Sequence, residues 1–111
     1  MLEAMITACR PGVTAASVAA VASRIMEPLG YAPLSGRRRF GHGIGLCATE
    51  PPSLGLLDQT ILRPGTVITP EPMFVLATGE FVHVEEMVVI MAEGARRLTH
   101  GAETLHELCV S

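Results

Sequence analysis

One imidazole and two well-separated carboxylates, His42, Glu71 and Glu85, sit on short segments bounded by glycine and proline. A donor set of two carboxylates and one ring nitrogen is how an oxygen-rich site for a divalent metal is built. His42 lies within Gly41-His42-Gly43-Ile44-Gly45, where alternate glycines leave the backbone bare enough for another strand or a ligand to come close. Taken alone, it reads first as a histidine satisfied by a neighbouring carbonyl, and the flanking motifs reverse that preference. Glu71 stands between Pro70 and Pro72, which hold it extended, and a ligand or general base gains from being fixed in advance. In Phe81-Val82-His83-Val84-Glu85-Glu86-Met87-Val88 a period of two puts His83, Glu85 and Met87 on one face and Val84, Glu86 and Val88 on the other. Only one of the adjacent glutamates can enter a given site. At least one should be buried and need a cation or donor to offset its desolvation. Glu85 is the choice for the site, because it shares a face with His83.

The elements that must carry these residues follow from periodicity and punctuation. Apolar residues at 2, 5, 6 and 9 predict a helix over 2–9, uncapped at its start and stopped by Pro11-Gly12. Thr14 is an N-cap for a second helix to about residue 27, with Val18, Val21, Ile25 and Leu29 as its buried stripe and several alanines packing closely. After a loop at 31–36 the pattern turns extended. Strands are expected at 40–49, 66–69, 73–77 and 80–91, with Pro64-Gly65 as a type II turn, Thr78-Gly79 as a hairpin turn and Glu93-Gly94 closing the last strand. Residues 55–62 read as a helical turn or an irregular loop, and the tail with His100 and His106 as a short helix. Residues 1–111 therefore form one α+β unit without internal repeats.

Composition narrows the function classes. Hydrophobic residues make up 49% and charged residues 17% of the 111, so part of the apolar surface is expected to meet a partner. A net charge of -3 with no Trp, one Tyr and three Phe argues against nucleic-acid binding. Arg37-Arg38-Arg39 reads as a solvated loop rather than an anion site. Cys9, Cys47 and Cys109 are odd in number and widely spaced, which argues against a disulfide framework or a thiolate zinc site and for a reducing compartment. With no membrane-length apolar run and no leader pattern, a soluble cytoplasmic protein is expected.

Several segments, in order, resemble the creatinase, prolidase and aminopeptidase family of pita-bread metallopeptidases. Ala8-Cys9-Arg10-Pro11-Gly12-Val13-Thr14 is similar to that family's helix-to-helix turn. Phe40-Gly41-His42-Gly43-Ile44-Gly45-Leu46 with Glu50-Pro51-Pro52 resembles its first signature, residues 62–72 its second and residues 84–90 its third. The resemblance runs over about residues 2–98 and implies the C-terminal part of a pita-bread fold, with helices on a curved, mainly antiparallel sheet.

By that resemblance His42, Glu71 and Glu85 are metal ligands, two metal ions (manganese, cobalt, zinc or iron) occupy each site, and Glu71 also accepts the proton of the attacking water in hydrolysis of a peptide carbonyl. The family takes two further ligands from aspartates that precede the Gly-His-Gly motif, whereas this chain has only Asp58, which follows it. The expectation is a truncated domain, inactive alone, corresponding to the C-terminal half of the catalytic domain. Thr49 stands where peptidase relatives carry a histidine and His83 where many carry an arginine. Both are candidate substrate-binding positions, and the substrate stays open between a peptide and a small non-peptide molecule. A non-catalytic binding or assembly module is the rival reading. The expected partners are a second copy or a separately encoded N-terminal half.

Overall fold

The computed structural model describes residues 1–30, 32–33 and 39–101. Arg37 and Arg38 of the basic run, His106, Cys109 and nearly all of the expected C-terminal helix lie outside the described residues.

Helix α1 spans Leu2–Ala8 without a side-chain cap and stops at Cys9, where the backbone turns extended. Helix α2 spans Ala15–Met26 and is capped as expected: the Thr14 side chain accepts a hydrogen bond from the Ser17 amide. Two more N–H groups of its first turn are satisfied from far along the chain, Ala15 by the Thr60 carbonyl at 2.9 Å and Ala16 by the Asp58 carbonyl at 2.8 Å. The 55–62 segment is thus an irregular loop shaped to close a helix end.

Asp58 holds that loop, its carboxylate accepting from the Ser53 amide at 2.7 Å and the Thr60 amide at 2.8 Å. The Thr60 hydroxyl, with the Thr60 and Ser53 amides, keeps the carboxyl below the usual aspartate range against the opposing effect of burial. A depressed folded pKa stabilises the fold fully above the unfolded value near ~3.9 and loses that contribution as pH falls through the folded value. Asp58→Asn is therefore expected to cost about 1 kcal/mol at pH 7, with the gap to the parent chain closing below about pH 4. Urea melts at pH 7 and pH 3 check this.

The buried face of α2 differs from the expected stripe. Ala15, Val18, Ala19, Ala22 and Met26 are buried, Val21 and Ile25 are half-buried, and Leu29 is 58% exposed. The larger side chains mark one stripe, but the alanines allow α2 to approach the sheet closely and so take the core side. Leu29 misses the core because Pro28 ends the α-helical ladder and a 3-10 turn, Glu27–Leu29, changes the phase.

Among the described residues eight strands follow: β1 Ala32–Pro33, β2 Arg39–Gly43, β3 Glu50–Gly55, β4 Val67–Pro70, β5 Met73–Val75, β6 Phe81–His83, β7 Val88–Met91 and β8 Gly94–Arg97. They form two antiparallel sheets, ordered β1-β5-β6 and β3-β2-β4-β7-β8. Two expected strands are corrected. The 40–49 strand ends at Gly43, and β3 begins only at Glu50, beyond an irregular 44–49 segment. The 80–91 strand is split into β6 and β7, while β8, not foreseen, folds back after the turn at 92–93.

The split has a physical cause. Ile68 lies opposite Val88 and Met73 opposite His83, so β4–β5 and β6–β7 are two arms of one ribbon in a single register. Between the paired regions the Glu86 amide donates to the Pro70 carbonyl at 3.2 Å and the Val84 amide to the Pro72 carbonyl at 3.4 Å. Neither proline has an N–H to return, so the ladder is half-empty over 84–87. At the tip the Gly79 amide donates to the Leu76 carbonyl and the Leu76 amide to the Glu80 carbonyl, closing the hairpin near the expected Thr78-Gly79 turn.

Both helices lie on one face of the larger sheet, α2 against β2 and β3 and α1 against β4 and β8. Met5, Val18, Met26, Leu54, Ile68, Val88 and Ile90 form the heart of the core, and each large apolar side chain buried there contributes about 1.5–3 kcal/mol. Cys9 belongs to this core, and burial pushes its thiol up to about 12. Among the described residues no helix is long and apolar enough to cross a membrane.

Candidate metal centre

Register alone brings the sequence-predicted residues to one face. His42 on β2 lies opposite Thr69 on β4, Glu71 follows Thr69 by two residues, and the ribbon's register sets Glu71 opposite Glu85. His83 precedes Glu85 by two and completes the row. Alternation turns all five residues away from Ile68 and Val88, which sit in the core beneath the helices.

The β2 backbone is pressed between its neighbours, which explains its glycines. A Cβ on Gly41, whose φ is +149°, would stand 2.2 Å from the Thr69 carbonyl oxygen, and one on Gly43 would stand 2.2 Å from the Pro51 carbonyl oxygen. The side chain of His42 between them is 8% exposed and its Nδ1 donates to the Gly43 carbonyl at 2.8 Å. A carbonyl can only accept, so Nδ1 carries the hydrogen. In the neutral ring the Nε2 lone pair then points outward, and 3.3 Å away stands Glu71 Oε2. The Thr69 hydroxyl lies beside the ring and donates to the His42 carbonyl at 3.3 Å.

Glu71, with a side chain 14% exposed, is held at both ends. Its amide donates to the Phe40 carbonyl at 2.7 Å, and its Oε1 lies 2.8 Å from His83 Nε2. One ligand atom each from Glu71, His83 and Glu85 lies within 4.8 Å of the other two, while His42 meets the opposite oxygen of Glu71. His83 is thus drawn into the carboxylate group itself. Thr49 lies exposed in the 44–49 segment.

The burial expected of the paired glutamates falls on Glu86, while Glu85 is exposed. Glu86 is 5% exposed, and its charge is met by the Thr99 hydroxyl at 2.6 Å and the Gly101 amide at 2.5 Å. Desolvation on the core side is offset by protein donors, and the carboxylate on the other side is left free for a ligand. Thr69 and Thr99 were not foreseen. A period of two from Glu71 could have found Thr69, whereas Thr99 carries no signal without the β7–β8 pairing.

The donors fit a divalent metal. Two carboxylates set directly opposite one another repel, and among the described residues the Glu71 side chain pairs with the two imidazoles. Tetrahedral ligands ~2.1 Å from a common ion lie ~3.4 Å apart, and the Glu71, His83 and Glu85 atoms, all within 4.8 Å of one another, reach such spacing by side-chain rotation. A set of carboxylate and imidazole suits manganese, iron, cobalt or zinc.

The chain belongs to metallopeptidase family M24, a metal-dependent family, which it matches over residues 1–92. It is 36% identical over 94 residues to the Xaa-Pro dipeptidase of Pyrococcus furiosus, covering 85% of this chain and 27% of that protein. Among solved structures it superimposes on dipeptidase PepE from Mycobacterium ulcerans with a TM-score of 0.84 at 33% identity, over 94% of this chain and 28% of that one. The prolidase of Pyrococcus furiosus gives 0.83 at 33% identity, over 92% and 30%. The fold is that of the pita-bread peptidases. The chain spans about a quarter of the length of the curated relatives it matches.

Proposed function

We propose that this chain supplies one wall of a metal-dependent peptidase centre acting on Xaa-Pro dipeptides or related short peptides, with His42, Glu71 and Glu85 as metal ligands. The observation that carries the proposal is the opposed pair Glu71 and Glu85, with the outward Nε2 of His42 turned on the first of them. A bound divalent ion would supply Lewis-acid polarisation of the scissile carbonyl and a nucleophile at neutral pH. The residues of the chain do the rest. Glu71, fixed by two prolines, the Phe40 carbonyl and His83, is placed to take up the proton of the attacking water. His83, half in solvent, orients Glu71 and faces incoming substrate, and exposed Thr49 is a second substrate-facing position. Two free thiols, Cys9 and Cys47, accord with work in a reducing cytoplasm.

Full activity requires carboxylates that the 111 residues do not hold. The single aspartate, Asp58, is engaged in closing the N-terminus of α2. The chain alone is therefore expected to bind one equivalent of Mn2+ or Co2+ weakly and to leave Xaa-Pro dipeptides at the background rate, with a separately supplied polypeptide completing the centre. Titration calorimetry on chelator-stripped protein, followed by a dipeptide cleavage assay on the loaded sample, tests both parts. No binding of Mn2+, Co2+ or Zn2+ overturns the metal reading and favours a non-catalytic module. Robust cleavage overturns the need for further carboxylates.

A further inference from the structure

Glu85 stands on a segment whose own ladder cannot hold it. Pro70 and Pro72 return no hydrogen bonds to 84–87, yet the carboxylate of Glu85 must stay opposite Glu71 for both to reach one ion. On the other side of this segment lies the continuation of β8. The Leu98 amide donates to the Met87 carbonyl at 2.8 Å, and the pairing of Val88 with Arg97 then puts Thr99 opposite Glu86. Here the hydroxyl of Thr99 takes the place of a backbone partner. Its oxygen accepts from the Met87 amide at 2.8 Å and donates to Glu86 Oε2 at 2.6 Å, while the Gly101 amide donates to Glu86 Oε1 at 2.5 Å.

We propose that Glu86, through Thr99 and Gly101, is the positioning residue of the metal centre: this clamp supplies the restraint that the prolines remove and so sets where Glu85 stands. Three features carry it. Glu86 is almost wholly buried, and the bonds it accepts from the exposed Thr99 and Gly101 are assisted by its charge, which makes them stronger than neutral ones. Both clamped residues flank the site, since the amide of Glu86 is the one that reaches Pro70, immediately before Glu71. A Cβ on Gly101 would stand 2.7 Å from Glu86 Oε1, so a side chain there would push the carboxylate from its place. The proposal rests on the reading of Glu71 and Glu85 as metal ligands, and outer partners of ligands typically govern affinity by ~10–100-fold.

The test uses the full chain with Thr99→Val, which removes the hydroxyl at constant shape, Thr99→Ser, which restores it, and Glu86→Gln. In the metal-free protein, amide exchange should accelerate at Glu86 and Met87 in Thr99→Val while Ile90 keeps its protection, and Thr99→Ser should restore the parent rates. Mn2+ affinity by calorimetry should fall about tenfold in Thr99→Val and Glu86→Gln and recover in Thr99→Ser. Unchanged exchange at Glu86 and Met87 overturns the clamp, as does equal Mn2+ affinity in parent and Thr99→Val. A parent chain that binds no Mn2+ overturns the metal reading instead, and the exchange rates still decide whether the clamp holds the segment. If Thr99→Val fails to fold, Glu86→Gln carries the same two readouts.

Discussion

Glu71→Gln lowers the affinity of the chain for Mn2+ or Co2+ by about 100-fold or more, exceeding the loss typical of an outer partner. Glu71 meets both imidazoles and faces the second carboxylate. Its oxygens face His42 at 3.3 Å and His83 at 2.8 Å, and the ribbon sets it opposite Glu85. Glutamine keeps the shape and can still accept from His83 through its carbonyl oxygen, so the metal-free fold is expected to melt within a few degrees of the parent. What it lacks is the charge, and its amide group would present hydrogens to the Nε2 of His42 and to any ion beside it. Calorimetry on stripped protein, paired with a thermal melt, separates lost ligation from lost folding. An unchanged affinity with an intact melt would place the ion elsewhere in the molecule.

Gly41→Ala is expected to cost more than about 3 kcal/mol, a large part of the ~5–15 kcal/mol that holds a domain of this size together. Two penalties combine. The backbone there has φ +149°, a region that side chains rarely adopt, and the new methyl would lie 2.2 Å from the Thr69 carbonyl oxygen and 2.7 Å from Leu54 Cδ1. Backbone oxygen on one side and a core leucine on the other leave no direction in which to yield. The measurement is urea unfolding followed by circular dichroism, with poor accumulation of soluble protein as the extreme outcome. Parent-like stability would mean that β2 and β4 are less tightly joined than the register indicates.

Much of the frame was legible because punctuation and period agreed. Thr14 caps α2, Pro11-Gly12 separates the helices, and the faces of 81–88 divide as a period of two requires. The errors arose where local pattern competed with distant partners. Val21 and Ile25 outrank alanine in hydrophobicity, yet close approach of α2 to the sheet favours the alanine side. The 80–91 run looks like one strand, because the prolines that break its ladder lie on the other arm. The same reason hid the role of Glu86, whose donors come from Thr99 and Gly101 beyond an unforeseen strand. The site fared better than the strand ends, since Pro70-Glu71-Pro72 and Gly41-His42-Gly43 mark their residues locally. The approach of His83 to Glu71 depends on pairing and could not be read from either segment alone.

The shared register of the two arms from Val67 to Val89 makes the hairpin a gauge of length. Losing a single residue between Leu76 and Glu80 would shift every later side chain to the opposite face, turning Glu86 toward Glu71 and Glu85 into the core. A loss of two would keep the faces but slide the carboxylates past each other. Sequence drift in this ribbon is therefore limited to paired edits, one on each arm, whereas the tip around Thr78 can be decorated outward without disturbing the chemistry beneath it.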